Sequence, residues 1–105
     1  MSNNTILEFY EALGFEETET DDGLIVFGIE LTQEGSYALL TDAEGTMPKN
    51  ATQEIIFAYY TPDDSFLWSA SFKNSAVFKE LWTGAQTAEA RVDAIVQYRK
   101  EREVF

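Results

Sequence analysis

Apolar and polar residues alternate along the middle of the chain in the way that is typical of β-strands joined by short turns. We predict a short edge strand and four longer strands, over residues 16–20, 24–31, 37–41, 53–61 and 66–73. Asp22-Gly23 has the composition of a tight hairpin turn, and the other connections are rich in Gly, Asp and Ser. Because strands with such short connections pair antiparallel, the pattern predicts a meander sheet of about five strands.

Two of the predicted strands show how the sheet should be covered. In strand 24–31 both faces are partly apolar: one carries Ile25, Phe27, Ile29 and Leu31, and the other carries Leu24, Val26, Gly28 and Glu30. We therefore predict that this strand lies inside the sheet and is covered on more than one side. In strand 66–73 the residues Phe66, Trp68, Ala70 and Phe72 form one aromatic face. That face is predicted to pack under the C-terminal helices.

A first helix is predicted over residues 5–13, before the strands. Thr5 has the position of its N-cap, and Glu8 follows three residues later as a capping-box partner. Apolar residues recur at helical spacing, and Gly14 has the position of the C-terminal cap.

Two more helices are predicted after the strands. Asn74 or Ser75 caps the first, which Gly84 ends, and Thr87 caps the second, over residues 88–102. A run of strands flanked by helices indicates the α+β class. We expect a single acidic α+β domain over residues 1–105, with the two C-terminal helices packed on one face of the sheet.

Negative charge is concentrated in the first half of the chain. Residues 1–48 contain eleven Asp or Glu and no Lys or Arg, whereas residues 49–105 contain eight acids and seven bases. The total charge of −12 repels nucleic acid and anionic lipid, so we expect no direct binding to either. The simpler interpretation of the acidity is solubility, and the alternative is a negative face that meets a basic partner.

The chain contains no His and no Cys, which removes the usual general base, the usual nucleophile–base pairs and the common transition-metal ligands. Asp21/Asp22 and Asp63/Asp64 are carboxylate pairs, but they lie beside Gly or Pro, where Asp is typical of turns. Asp42-Ala-Glu44-Gly45 lacks the further ligands of an EF-hand loop, and no phosphate-binding glycine motif is present. We expect no enzyme, no cofactor and no metal site.

The chain has no apolar run long enough to span a membrane, and residues 1–5 lack the basic and apolar regions of a secretory signal. Together with the absence of Cys, these features predict a cytoplasmic location.

Two short stretches resemble known families. Phe9-Tyr-Glu-Ala-Leu-Gly-Phe15 resembles the helix end of glyoxalase-type (vicinal oxygen chelate) domains, which place a strand before this helix and use His or Glu metal ligands. Only a few residues precede the segment here, so it is interpreted as a generic amphipathic helix with a glycine cap. The first 45 residues are similar in style to class I type III secretion chaperones, which usually carry a helix among the strands. No family is assigned from either stretch.

The favoured hypothesis is a small protein-interaction module that docks on a basic surface, as an inhibitor, an immunity protein, a chaperone-like protein or a nucleic-acid mimic. Its candidate partner-binding residues are Glu16, Glu17, Glu19, Asp21, Asp22, Glu34, Asp42, Glu44 and Trp82. Trp82 is included because Trp is enriched at binding hot spots, although a core position is the simpler interpretation.

Two alternatives remain open. One is a small-ligand-binding domain or carboxylate enzyme with a pocket on the sheet, for which Glu30 is the best candidate because its strand is otherwise apolar. The other is a homodimer subunit with a purely structural role.

Overall fold

The structure is a computed structural model that describes residues 5–20 and 22–103. The fold is α+β, as predicted. Its elements in chain order are α1 (Thr5–Ala12), β1 (Glu16–Glu19), β2 (Ile25–Glu30), β3 (Tyr37–Asp42), β4 (Ile55–Tyr60), β5 (Phe66–Phe72), α2 (Ser75–Thr83) and α3 (Ala88–Glu103). The strands form one antiparallel meander sheet in the order β1-β2-β3-β4-β5, which confirms the predicted topology.

Helix ends lie close to the predicted positions because local side chains define them. The side chain of Asn74 accepts a hydrogen bond from the Val77 N–H at 3.0 Å and caps α2, and Thr87 Oγ1 accepts from the Ala90 N–H at 3.1 Å. Gly14 follows α1 with a φ of +102°, a conformation that favours glycine at a helix C-terminus. The capping role predicted for the Thr5 side chain lies outside the described residues.

All three helices pack on one face of the sheet. Tyr10 of α1, Phe78 and Trp82 of α2 and Ile95 of α3 join one hydrophobic cluster with the inward residues of the strands. The strand residues buried in that cluster are Phe27, Leu40, Ile55, Phe57, Ala70 and Phe72, which the register places side by side. The predicted packing of the C-terminal helices on one face is thus confirmed, and α1 shares that face.

The opposite face of the sheet carries no second layer in the described part of the chain, which corrects one expectation. β2 lies between β1 and β3, as predicted, and Val26 on its second face is fully buried. No helix covers Val26. Instead, the short edge strand β1 lies close against β2, with Thr18 paired to Val26.

An irregularity between Tyr59 and Tyr60 corrects a second expectation. Tyr59 pairs with Trp68 but Tyr60 pairs with Phe66, so the register skips one residue of β5. Residues of β5 on the two sides of this irregularity therefore alternate between opposite faces of the sheet out of step. Phe66 therefore does not join the aromatic core with Phe72 but lies on the open side against Tyr60, with 56% of its surface exposed.

The last helix, α3, is the longest at 16 residues and lies beside the edge strand β5. The Arg99 guanidinium Nε donates to the Ser69 carbonyl at 2.8 Å, so a side chain of α3 occupies a hydrogen-bonding position on that sheet edge. Within residues 5–20 and 22–103, no helix combines the length and the apolarity needed to cross a membrane.

Candidate functional site

The four hairpin connections of the sheet share one hydrogen-bonding pattern. Each begins with Thr or Asp, and the backbone carbonyl of this residue accepts from the N–H three positions on. Its side-chain oxygen accepts from the N–H four positions on. The four starting residues are Thr20, Thr32, Asp42 and Thr61.

The fourth residue of each turn has a left-handed backbone. Three turns place glycine there, with φ values of +85° at Gly23, +107° at Gly35 and +86° at Gly45. The fourth turn places Asp64 there, at a φ of +70°. Asp64 thus occupies a conformation that glycine adopts at lower cost.

The open face of the sheet is concave and forms a trough of about 680 Å³. Its lining residues are Thr18, Glu19, Thr20, Asp22, Leu24, Val26, Tyr37, Leu39, Thr41, Gly45, Ala58, Tyr60 and Asp64. The residues from β2, β3 and β4 supply aliphatic and aromatic groups, and the acids come from β1 and the turns. We call this feature the trough.

A smaller cavity of about 240 Å³ continues the trough, because Thr18, Tyr37 and Leu39 line both. Its lining adds the acidic residues Glu16 and Glu30, which are exposed. The trough and this cavity together form one surface, which we call the open face.

Charge on the open face has a single sign. Its lining residues include five acids, namely Glu16, Glu19, Asp22, Glu30 and Asp64, and no Lys or Arg. The cations that contact aromatic rings lie elsewhere: Lys79 stands over Phe9, and the guanidinium groups of Arg91 and Arg99 stand over Trp82 and Trp68. Because carboxylates in a concave surface reinforce one another's field, the open face attracts cations.

An aromatic pair and a carboxylate meet at one end of the trough. The rings of Tyr37 and Tyr60, paired across β3 and β4, are stacked with centroids 5.1 Å apart and planes within 5°. The Tyr37 hydroxyl donates to Asp64 Oδ1 at 2.8 Å. Tyr37 therefore fixes the carboxylate at the edge of a flat aromatic surface.

The structure separates the predicted partner-binding residues into different locations. Glu16, Glu19 and Asp22 line the open face. Glu17 instead lines an apolar cavity beside α1, near Lys49. Glu34 and Glu44 are exposed in turns and line neither part of the open face, and Asp21 lies outside the described residues.

Asp42 is buried, with 3% of its surface exposed, so its side chain is not presented at the surface in this structure. Its Oδ1 accepts from the N–H groups of Glu44 and Thr46 at 2.9 Å, and its Oδ2 accepts from the Thr46 hydroxyl at 2.8 Å. Burial raises the pKa of this carboxyl, but these hydrogen bonds and the charge of Lys49 outweigh burial and hold its pKa below the ordinary value. Asp42 stabilises a turn.

Trp82 is also buried, with 1% of its surface exposed, so it is not accessible to a partner. Its indole Nε1–H donates to the Leu13 carbonyl at 2.9 Å, and Phe15, Phe57 and Phe78 surround its ring. The simpler interpretation, a core residue, describes its position.

Sequence reasoning did not place Tyr37, Tyr60 or Asp64 in a functional site. The sequence predicts a turn at Asp64, which the structure confirms, and its alternation gives no sign that Tyr37 and Tyr60 form a pair. The signal that was available is the repeated turn pattern: three turns carry glycine at the fourth position, and the chain 61–65 carries Asp there.

The remaining carboxylates of the described residues suggest no metal centre. No group of three or more acids in residues 5–20 and 22–103 is arranged to hold a metal ion. Asp63 accepts from the Thr61 hydroxyl, which with its other turn contacts keeps its pKa below the ordinary value.

Comparison of the chain with protein-family models, with curated proteins and with solved structures gives no match.

Proposed function

We propose that the protein is a non-catalytic interaction module that docks a basic segment of another protein on the open face of its sheet. One observation carries the proposal: no helix of the described residues covers the concave open face, which combines aliphatic and aromatic side chains of the strands with five acids and no base in its lining. A cationic segment complements that face in both shape and charge.

The two parts of the face make different contributions to binding. Leu39 and Ala58, which are partly exposed, give the trough aliphatic surface, and its burial contributes roughly 25 cal/mol per Å² of apolar area. The carboxylates and the total charge of −12 speed association with a cationic partner and orient it, and this effect weakens as salt is added.

The same face discriminates among the partner classes. A nucleic-acid mimic needs carboxylates displayed outward like phosphates, whereas the trough places aliphatic and aromatic side chains of the strands beside its acids. The face therefore favours a peptide segment or loop of a basic protein, as an inhibitor, an immunity protein or a chaperone-like protein would bind. A charge of −12 opposes both nucleic acid and a second copy of the chain. We propose that the protein meets this partner in the cytoplasm.

The test is a titration of the protein with a peptide that alternates Lys and Leu and has a net charge of about +4. Binding is monitored by the amide chemical shifts of the protein. We expect the shifts to fall on β1, β2, β3 and the turns of the trough, and affinity to fall at least tenfold between low and high salt.

Two charge-reversal variants separate the site from net charge. Glu19→Lys/Asp22→Lys changes the trough, and Glu11→Lys/Glu80→Lys makes the same charge change on exposed helix positions. We expect the trough variant to lose at least tenfold in affinity and the helix variant less than threefold. Equal losses in the two variants, or shifts centred on the helices, contradict the proposal.

A further inference from the structure

We propose that the open face selects arginine over lysine, and that one guanidinium group of the docked segment binds at Asp64 against the Tyr37–Tyr60 pair. This inference rests on the proposed function and names the side chain that the face recognises. The acids of the open face favour a cationic occupant, and the groups beside Asp64 determine which cation fits.

The position of Asp64 is unusual within this protein. The other three turns of the sheet place glycine at the position with a left-handed backbone. Only the turn beside the Tyr37–Tyr60 pair places a residue with a side chain there. A left-handed backbone costs Asp more than it costs Gly, so stability of the turn alone favours glycine. Asp64 therefore keeps a side chain at a backbone cost that glycine would avoid, and that side chain lies in the lining of the trough.

The geometry around Asp64 fits a planar cation. The Tyr37 hydroxyl holds Asp64 Oδ1 at 2.8 Å, which limits the orientations of the carboxylate. Beside it, the rings of Tyr37 and Tyr60 are stacked on each other, which leaves the outer face of the Tyr37 ring as a flat aromatic surface. A guanidinium group can stack on such a ring and donate to a carboxylate in its own plane, whereas an ammonium group lacks the plane.

The rest of the trough suits the arginine side chain and the segment that carries it. Leu39 and Ala58 lie in the lining with Tyr37 and Tyr60 and offer apolar surface to the methylene groups of the stem. No Lys or Arg is among the lining residues of the trough, so its lining within the described residues supplies no cation of its own.

The test uses two peptides of identical sequence and net charge, one containing Arg and the other Lys at every basic position. Their dissociation constants are measured at low salt with the wild-type protein and with Asp64→Gly, Asp64→Asn and Asp63→Asn. We expect the wild-type protein to bind the Arg peptide at least fivefold more tightly than the Lys peptide.

The variants assign that preference to a residue. Asp64→Gly is expected to abolish the preference while keeping or raising the thermal midpoint, because glycine relieves the left-handed backbone. Asp64→Asn keeps a side chain that tolerates this backbone, and it is expected to lose most of the preference. Asp63→Asn removes one charge from the neighbouring turn position, which does not line the trough, and is expected to keep the preference.

The outcomes separate this inference from the proposed function. Equal binding of the two peptides at the trough overturns arginine selection and leaves the interaction module intact. Failure of both peptides to bind overturns both. Retention of the preference in Asp64→Gly and Asp64→Asn, or its loss in Asp63→Asn, overturns the assignment to Asp64.

Discussion

The side chain of Thr18 occupies the space that a Cβ on residue 28 would need. A methyl group at Gly28 comes within 2.5 Å of Thr18 Oγ1 and 3.0 Å of Thr18 Cβ. The backbone of Gly28 is not left-handed, so its glycine is required by the close approach of β1 and not by φ. The absence of a side chain at Gly28 thus lets Thr18 of β1 lie close to the backbone of β2.

Gly28→Ala is therefore expected to destabilise the protein by about 1–3 kcal/mol, because the added methyl forces β1 away from β2. Thr18→Ala removes the closest atom, so the double variant is expected to recover part of the loss. The measurement is a double-mutant cycle from urea unfolding. Additive losses in the double variant contradict a steric contact between the two residues.

The helices and strands of this fold follow from signals that lie close together in the chain. The Asn74 cap, the glycine after α1 and the alternation in residues 66–72 each specify an element within a few residues. The meander order follows from the short turns, because they leave no length for a crossover.

The open face depends on relations between distant residues, which the pattern of one strand does not contain. The two apolar faces of 25–30 predict cover on both sides, but no helix of the described residues covers the second face, where Thr18 of the neighbouring strand lies close to Gly28 instead. The irregularity at Tyr59/Tyr60, which moves Phe66 to the open side, has no mark in the alternation. Trp82 was placed among partner anchors because helix position alone does not reveal the aromatic cluster around it.

Tyr10 and Ser75 are both fully buried, and their hydroxyl groups are hydrogen-bonded to each other between α1 and the start of α2. Tyr10→Phe and Ser75→Ala each leave one buried polar group without this partner, which costs about 1–3 kcal/mol. The double variant removes both groups and is expected to lose less than the two single losses combined. Chemical denaturation of all four proteins measures this coupling, and strict additivity would contradict it.

Alkaline pH provides a second test of Tyr10. Burial raises the pKa of its phenol to about 12, and the hydrogen bond with Ser75 opposes that rise in part. Between the ordinary pKa of 10.0 and about 12, the unfolded chain loses this proton while the folded protein keeps it. Stability from this group is therefore complete below pH 10 and is lost as pH rises towards 12, by on the order of 2–3 kcal/mol.

The control for this pH dependence is Tyr10→Phe, which has no phenol to ionise. We expect its free energy of unfolding to fall less steeply above pH 10 than that of the wild-type protein. Parallel curves for the two proteins would assign the alkaline loss to other groups.

Asp42 stabilises its turn in the ionised form, so its contribution depends on acid pH. Because its folded pKa lies below the ordinary value of 3.8, the contribution is present above that value and is lost as pH falls through the folded pKa. Asp42→Ala is expected to cost about 1–3 kcal/mol at neutral pH and to flatten the acid limb of the stability curve. Asp42→Asn keeps an acceptor for the Glu44 and Thr46 N–H groups, so it should lose less.

The matched control for Asp42 is Thr61→Ala, which removes the corresponding side-chain acceptor from an exposed turn. Water can replace that acceptor, so a loss of only about 0.5–1 kcal/mol is expected. Urea unfolding between pH 2 and 7 compares the three variants. If Asp42→Ala and Thr61→Ala lose the same free energy of unfolding, burial does not strengthen the hydrogen bonds of the Asp42 turn.

Trp82 separates core stability from partner binding, because it lies on the helix side of the sheet and the trough lies on the other. Trp82→Phe removes the indole donor to the Leu13 carbonyl. It also replaces the indole ring, whose centroid lies 4.9 Å from the Arg91 guanidinium carbon, with a smaller ring. We expect a loss of about 1–3 kcal/mol, since a buried carbonyl loses its donor and a smaller ring leaves space in the core. At a temperature where the variant is fully folded, its dissociation constant for a basic peptide should stay within about twofold of the wild-type value. A tenfold change would correspond to about 1.4 kcal/mol of binding free energy. A variant that remains folded but loses peptide affinity would show that the helix side, and not the open face, carries the interaction.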